Sequence, residues 1–154
     1  MSVATLNRNP SLLVRAGSIL CAIPLSQAVE TMRPLDVEPV SGLPEFVLGL
    51  SIIRGNPVPV VSLPLLLNQP KSATVARFVT IHVEDRLVAL AVSEVTGVSD
   101  LENIDLKELP PLVQHATAQV VETIGVLDEQ LLLFLKSSRI LPAEVCEDLW
   151  DRAG

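Results

Sequence analysis

Few side chains in this 154-residue chain could do acid–base, nucleophilic or metal chemistry, and they are scattered. His82 falls inside an apolar run and His115 in a proline-bounded connection, and neither has a Cys, Asp or His nearby at the spacing of metal ligands. Cys146 lies beside Glu147 and Asp148, and such acids raise a thiol pKa, which disfavours a nucleophile. The sequence therefore predicts no catalytic residue, no metal site and no cofactor.

Pairs of acids are a further candidate for acid–base chemistry. They occur at Glu84-Asp85 and Asp128-Glu129, in predicted turns, and at Glu147-Asp148, in a predicted helix. Charged pairs at such positions are typical of a solvated surface rather than of catalysis. The sequence also lacks a G-x-S-x-G segment, a glycine-rich phosphate loop and an H-E-x-x-H segment. These observations indicate a protein that is not an enzyme.

One charge is notable for its apolar surroundings. Arg54 is the only charged residue between Glu45 and Lys71, and it precedes Gly55-Asn56 in the segment 48–63. Apolar runs on both sides of Gly55-Asn56 predict a hairpin with a type II′ turn, in which Gly55 supplies the positive φ. Arg54 is then either an edge arginine with its apolar stem packed on the sheet, or part of a surface that meets another protein.

The elements that position these residues are short apolar runs separated by turn signals. Four hairpins and two single strands are predicted, ten strands in all, which is typical of a β-sandwich or of β-barrels. The predicted hairpins are 11–23, 48–63, 77–92 and 120–136, and the predicted single strands are 28–35 and 94–100. Pro57 and Pro59 lack the N–H that a ladder needs, so we expect an edge strand or a strand start there.

Alternation along the second half predicts which faces are buried. Residues 88–92 are continuously apolar, so we expect a strand buried on both faces. In residues 77–83, Thr80 and His82 alternate with apolar residues, which predicts one buried and one wetter face. Residues 36–45 and 101–111 are predicted connections, 64–69 a short helical turn, and 142–151 a terminal helix.

Composition excludes several classes of protein. The chain is 49% hydrophobic and 19% charged, which favours a folded domain over disorder. The net charge of −7 disfavours binding to nucleic acid or to anionic lipid. No apolar run is long enough to cross a bilayer, and residues 1–10 lack the apolar stretch of a signal peptide. We therefore expect a cytoplasmic protein without membrane insertion, with Cys21 and Cys146 as reduced thiols.

The domain prediction follows from a pattern that occurs twice. Each half of the chain contains a hairpin, a single strand, a proline-containing connection and another hairpin. We predict a flexible tail at 1–10, one domain at 11–141 and a C-terminal helix and tail at 142–154. Within the domain, residues 11–70 would form a first barrel and 71–141 a second, with strands free to cross over between them. Periodicity alone leaves a ten-stranded sandwich open.

A family resemblance covers nearly the whole chain. The string G-L-S-I-I-R-G-N-P-V-P-V-V-S-L at 49–63 resembles the central motif of CheW-like domains, the coupling adaptors of bacterial chemotaxis arrays. The segments 21–30, 78–100 and 121–135 resemble other parts of that family, in the same order over roughly residues 12–141. Ser62 departs from the pattern, since the family often has Asp there. The resemblance implies two packed, five-stranded SH3-like barrels.

The resemblance also implies a function and its surfaces. Such a protein would couple the cytoplasmic tip of a methyl-accepting chemoreceptor to the regulatory domain of a chemotaxis-type histidine kinase, at membrane-associated receptor arrays. Mapping by motif places a receptor-binding groove at Ala28, Glu30, Met32, Ile52 and Arg54. It places the kinase-facing edge at Val92, Val95 and Gly97. Core packing is the alternative for both valines, and a β-bulge is the alternative for Gly97.

Two other functions stay open at this point. A CheW-like adaptor could serve a different chemosensory pathway, such as twitching motility, and the sequence does not choose between pathways. A small-ligand-binding β-barrel domain would instead need a pocket with convergent polar groups, for which the sequence supplies few residues.

Overall fold

The computed structural model describes residues 10–100, 105–107, 120–127, 129–136 and 139–141. Within them lie eleven strands, a 3₁₀ turn at Leu25–Gln27 and one short helix. The elements are β1 (Ser11–Ala16), β2 (Ile19–Pro24), β3 (Ala28–Met32), β4 (Val47–Ile53), β5 (Asn56–Ser62), α1 (Leu63–Leu66), β6 (Arg77–Val83), β7 (Arg86–Val92), β8 (Glu94–Ser99), β9 (Asp105–Lys107), β10 (Val121–Leu127) and β11 (Gln130–Leu135). The predicted all-β fold and its four hairpins are confirmed.

The strands form two sheets built on one plan. One sheet has the order β8-β1-β2-β11-β10-β9, and the other has the order β3-β6-β7-β5-β4. In each, two antiparallel hairpins are joined through a parallel pair, β2 with β11 and β5 with β7. These are the two packed SH3-like barrels of the prediction, with the three-residue β9 added to one edge. The connection predicted at 101–111 therefore contains a strand.

The sheets do not follow the boundary predicted at residue 70. Strand β3 follows the β1–β2 hairpin but pairs with β6, and β8 follows the β6–β7 hairpin but pairs with β1. The two single strands are thus exchanged between the halves of the chain. As a result, the five-stranded sheet is a continuous segment, 28–92, whereas the six-stranded sheet is assembled from the segments on both sides of it. The sequence left open whether strands cross over between the two halves of the chain. In the structure both single strands, β3 and β8, do so.

Alternation along the central strands builds three hydrophobic clusters. In β7, Val88, Leu90 and Val92 enter a main core that both sheets share, while Ala89 and Ala91 enter a smaller cluster on the opposite face. Leu20, Ala22, Leu132 and Phe134 form the equivalent small cluster of the six-stranded sheet. The predicted two-sided burial of residues 88–92 is confirmed. Each fully buried Leu or Val stabilises the fold by about 1.5–3 kcal/mol relative to exposure.

The tight turn between β4 and β5 differs from the predicted one. Ile53 pairs with Asn56, so the two turn residues are Arg54 and Gly55. Both have positive φ, 53° and 83°, which is the type I′ geometry rather than type II′. The Asn56 side chain donates a 3.4 Å hydrogen bond to the Arg54 carbonyl oxygen across this turn. The turn therefore lies one residue earlier than the predicted Gly55-Asn56. The difference arises because a sequence gives no reason to expect an arginine with positive φ.

The two prolines lie in a strand that is not at the edge. Strand β5 runs between β4 and β7, and the edge strand is β4. Pro57 and Pro59 oppose Ile52 and Leu50 at positions where a residue of β5 directs its N–H towards β7. The parallel pairing with β7 begins only at Val60. The prolines are therefore tolerated because β5 begins to pair with β7 only after Pro59.

The remaining predictions for this part of the fold have three different outcomes. Thr80, predicted on the wetter face, is fully buried, whereas His82 is exposed as expected. The helical turn is confirmed as α1, where the Ser62 hydroxyl accepts a 3.2 Å hydrogen bond from the Leu65 N–H and caps the helix. The tail at 1–9, His115, Cys146 and the helix and tail predicted at 142–154 lie outside the described residues.

Candidate functional site

Arg54 and Glu30 form a bidentate ion pair on the surface. Nε of Arg54 donates to Oε1 of Glu30 at 2.9 Å, and Nη2 donates to Oε2 at 2.8 Å. The Arg54 side chain is 76% exposed and that of Glu30 is 28% exposed. This two-point geometry fixes the plane of the guanidinium, since both oxygens of the carboxylate are engaged at once. The sequence analysis selected both residues, and the structure brings them together.

The backbone around Glu30 is held by a β-bulge and a buried hydroxyl. Ala28 pairs with Ile81 and Glu30 with Thr80, so β3 carries one extra residue, Val29, between those pairs. The Thr80 hydroxyl accepts a 3.2 Å hydrogen bond from the Glu30 N–H and donates a 3.3 Å bond to the Glu30 carbonyl oxygen. Thr80 therefore positions Glu30. Sequence reasoning missed it, although a threonine inside an apolar run was a signal.

The ion pair shifts both pKa values in the direction that keeps the charges. The hydrogen bonds from Arg54 lower the pKa of the Glu30 carboxyl below its usual value, and the nearby positive charge acts in the same direction. The same contacts raise the pKa of Arg54. Glu30 is thus an anion and Arg54 a cation across the neutral pH range, so the pair persists there.

The other predicted receptor-groove residues do not all lie on the face of β3 that carries Glu30. Met32 packs against the small cluster of the five-stranded sheet, whereas Ala28, before the bulge, packs against the main core. Ile52 is 65% exposed on the edge strand β4, two residues before Arg54. The bulge separates Ala28 from Glu30 because the inserted residue reverses the side on which the following side chains lie.

The predicted kinase-facing residues have different surroundings. Val92 is fully buried in the main core, so its side chain cannot contact a partner, and that assignment is corrected. Val95 lies on the edge strand β8 and is partly buried against the same core. Gly97 has φ 145° and pairs with Leu13 at the point where the β1–β8 register shifts, which is the bulge position that the sequence left open.

Comparison with known proteins gives one family. The model of the family described as "CheW-like domain" matches residues 10–145. The chain belongs to the CheW-like domain family. A curated relative, the chemotaxis protein CheW of Helicobacter pylori, is 25% identical over 122 residues, which cover 78% of this chain and 73% of that protein. The resemblance found in the sequence is thereby confirmed.

A solved structure supports the fold of this CheW-like domain. It is that of the scaffolding protein TtCheW from Thermoanaerobacter tengcongensis, with a TM-score of 0.72 at 20% identity. The match covers 84% of this chain and 89% of that one. At this identity the likeness concerns the fold alone.

Catalytic chemistry gains no support from the described part of this CheW-like domain. Within the described ranges, no three His, Cys, Asp or Glu side chains come together as a metal site would require. Burial raises the pKa of the Cys21 thiol to about 12, which leaves it protonated and unreactive. Searched over the same ranges, the structure has no helix long and apolar enough to cross a membrane.

Proposed function

We propose that this protein is a non-enzymatic adaptor that couples methyl-accepting chemoreceptors to a chemotaxis-type histidine kinase. It would bind the cytoplasmic tip of the receptor and the regulatory domain of the kinase, at membrane-associated receptor arrays. Membership of the CheW-like family over residues 10–145 supports the adaptor role. The name of the H. pylori relative, a chemotaxis protein, supports the pathway.

The observation that carries the receptor side of the proposal is the exposed pair of Arg54 and Glu30. Its two charges satisfy each other, and yet Arg54 remains 76% exposed. Ile52, 65% exposed, lies two residues earlier in the chain, on β4. An arginine held in one orientation beside an exposed aliphatic side chain is a typical anchor of a protein interface, because little side-chain freedom is lost on binding. Glu30, Arg54 and Ile52 are the proposed receptor contacts. Met32 would support Glu30 from the small cluster, whereas Ala28, across the bulge, packs against the main core.

The kinase side of the proposal uses the opposite sheet. Strand β8 is an edge of the six-stranded sheet, and it presents Val95 and Gly97 at a bulge. Exposed strand edges offer backbone groups for pairing with another chain, and a bulge limits where such pairing can extend. We place the kinase contact at this edge, with Val92 acting only as core support.

The experiment is a titration of the purified protein against two partners, the kinase regulatory domain and a receptor-tip fragment from the same source. Arg54→Glu places two carboxylates together and should weaken receptor binding at least about tenfold while leaving kinase binding unchanged. Lys71→Glu is the matched control, since it reverses the same charge in another exposed ion pair, Lys71 with Glu45.

The outcomes separate the parts of the proposal. Loss of receptor binding in Arg54→Glu with a preserved thermal transition supports the assigned surface, whereas loss of that transition makes Arg54 structural. If Lys71→Glu weakened receptor binding by the same factor, the effect of Arg54→Glu would be explained by the change in net charge and not by the assigned surface. Failure to bind any chemotaxis-type kinase would overturn the coupling function itself. Repeating the titration with a kinase of a twitching-motility system tests the alternative pathway directly.

A further inference from the structure

A cleft opens between the tips of the two hairpins of the five-stranded sheet. In the other sheet, the parallel pairing begins at Leu132 with Leu20, close to both hairpin turns. In the five-stranded sheet it begins at Val60 with Ala89, so each hairpin extends two residues further beyond the pairing. This overhang, like the extra strand β9, is a departure from the plan that the two sheets share.

Proline keeps the overhanging tips apart. The next ladder bond towards the tips would run from the N–H of residue 59 to the carbonyl oxygen of Leu87, but Pro59 has no N–H. Leu87 opposes His82 at a non-hydrogen-bonded position of the β6–β7 pair, so its carbonyl is directed towards β5. The ladder stops there, and an acceptor of β7 is left facing the gap.

The gap is an open depression of about 380 Å³. Apolar side chains make up most of it, and two arginines lie at its rim; the lining residues are Ile53, Arg54, Asn56, Pro57, Val58, Arg86 and Leu87. This volume is at the lower end of ligand sites, and it suits one or two side chains rather than a large cofactor.

Arg54 supplies a charge at this rim that is already oriented. Glu30 engages Nε and one hydrogen of Nη2, which leaves the edge formed by Nη1 and Nη2 with no bond to the described residues. Arginine binds carboxylates in two-point fashion through such an edge. The cleft therefore combines an apolar floor, a backbone acceptor and a fixed guanidinium.

We propose that the cleft binds a short extended segment of a protein partner, with an apolar side chain next to a carboxylate. The apolar side chain would fill the depression between Val58 and Leu87. A backbone N–H of the segment would donate to the Leu87 carbonyl in place of the missing residue-59 donor, and the carboxylate would bind the outer edge of Arg54. This mode extends a strand edge by main-chain bonds and selects side chains by a pocket.

The test uses two blocked dipeptides, N-acetyl-Leu-Glu-amide and N-acetyl-Leu-Gln-amide, titrated into the full-length protein and followed by NMR. We expect saturable shifts at the amides of Val58 and Leu87 and at the Arg54 Nε–H. The Glu peptide should bind roughly fivefold more tightly than the Gln peptide, because a charge-assisted bond replaces a neutral one. Arg54→Gln should remove that difference, and Lys71→Gln should keep it.

A second variant tests the cleft itself. Pro59→Val supplies the missing N–H, so the ladder should extend to Leu87, protect residue 59 from hydrogen exchange and abolish peptide binding. Unsaturable shifts, equal affinity for the two peptides, or shifts away from Val58 and Leu87 would each overturn the proposal. The probes contain neither receptor nor kinase, so this result stands apart from the coupling function.

Discussion

Glu30 and Arg54 connect the two edges of the five-stranded sheet. Glu30 lies on β3, Arg54 lies in the turn that ends β4, and β3 and β4 are the outermost strands of that sheet. Their bidentate bonds, at 2.8 and 2.9 Å, draw one edge towards the other and help to close the sheet into a barrel. The ion pair that we place on the proposed receptor surface therefore also helps to close the barrel.

Exchanging the two charges separates these roles. The double variant Glu30→Arg, Arg54→Glu restores opposite charges across the same contact, whereas each single variant places like charges together. If closure of the barrel is what binding needs, the double variant should recover most of the receptor affinity lost in Arg54→Glu. If Arg54 itself contacts the receptor, affinity should stay low although the thermal midpoint recovers. Titration calorimetry and thermal unfolding on the same three variants measure both quantities.

The ion pair also predicts a pH dependence with a definite sign. The pKa of Glu30 is lower in the folded protein than in the unfolded chain, so its contribution to stability is fully present above the unfolded value, about 4.3. That contribution is lost as the pH falls through the folded pKa. The thermal midpoint of the protein should therefore exceed that of Glu30→Gln at pH 7 and approach it under acid conditions. A constant difference down to pH 2 would contradict the linkage.

Removing the buried hydroxyl at position 80 should loosen Glu30. Thr80→Val keeps the shape but deletes both bonds to the Glu30 backbone, and it leaves the N–H and C=O unsatisfied in a partly buried place. We expect a loss of about 1–3 kcal/mol in unfolding free energy, measured by urea denaturation. Thr80→Ser retains the hydroxyl and should recover the receptor affinity that Thr80→Val loses, which a simple packing defect would not explain.

How far the sequence predicts this protein depends on the distance between the residues involved. Hairpins follow from neighbouring residues, so all four were predicted, as was the two-sided burial of 88–92. The turn lies at Arg54-Gly55 and not at the predicted Gly55-Asn56. Either pair of turn residues fits the same apolar runs, and only tertiary packing selects the one with a left-handed arginine. The exchange depends on pairing between residues far apart in the chain, 50 residues for Glu30 of β3 with Thr80 and 83 residues for Thr96 of β8 with Leu13, which local pattern does not encode.

The candidate site shows the same limit. Glu30 and Arg54 were each selected, one by one, as charges beside apolar sequence, but their contact is a product of barrel closure. Val92 was placed at an interface because motif mapping does not distinguish the two faces of a strand that is buried on both. Thr80 was assigned to the wrong environment for a related reason, since its hydroxyl is satisfied by a backbone that is distant in sequence.

Two glycines of the β4–β5 hairpin should respond differently to alanine. Gly49 has φ 142°, and a Cβ there would lie 2.0 Å from the Glu38 carbonyl oxygen, in the segment that covers the edge of β4. Gly55 has φ 83° with open space around a Cβ. Gly55→Ala should cost about 1–2 kcal/mol from backbone strain alone. Gly49→Ala should cost clearly more, because the covering segment must move. Equal losses in denaturant unfolding would refute this difference.

Burial makes Cys21 a probe of the shared core. Its side chain is fully enclosed in the main core and its pKa is raised to about 12, so neither access nor thiolate is available at neutral pH. In a Cys146→Ser background, Cys21 should resist iodoacetamide in the native protein and react only as fast as the protein opens.

Strand β2 is held by both β1 and β11, which join segments from the two ends of the chain. A destabilising change at Leu132 or Leu133 should therefore speed labelling of Cys21, by about tenfold for each ~1.4 kcal/mol of unfolding free energy lost. Rapid labelling of the unaltered core would show that β2 opens independently of β11, contrary to the sheet order described above.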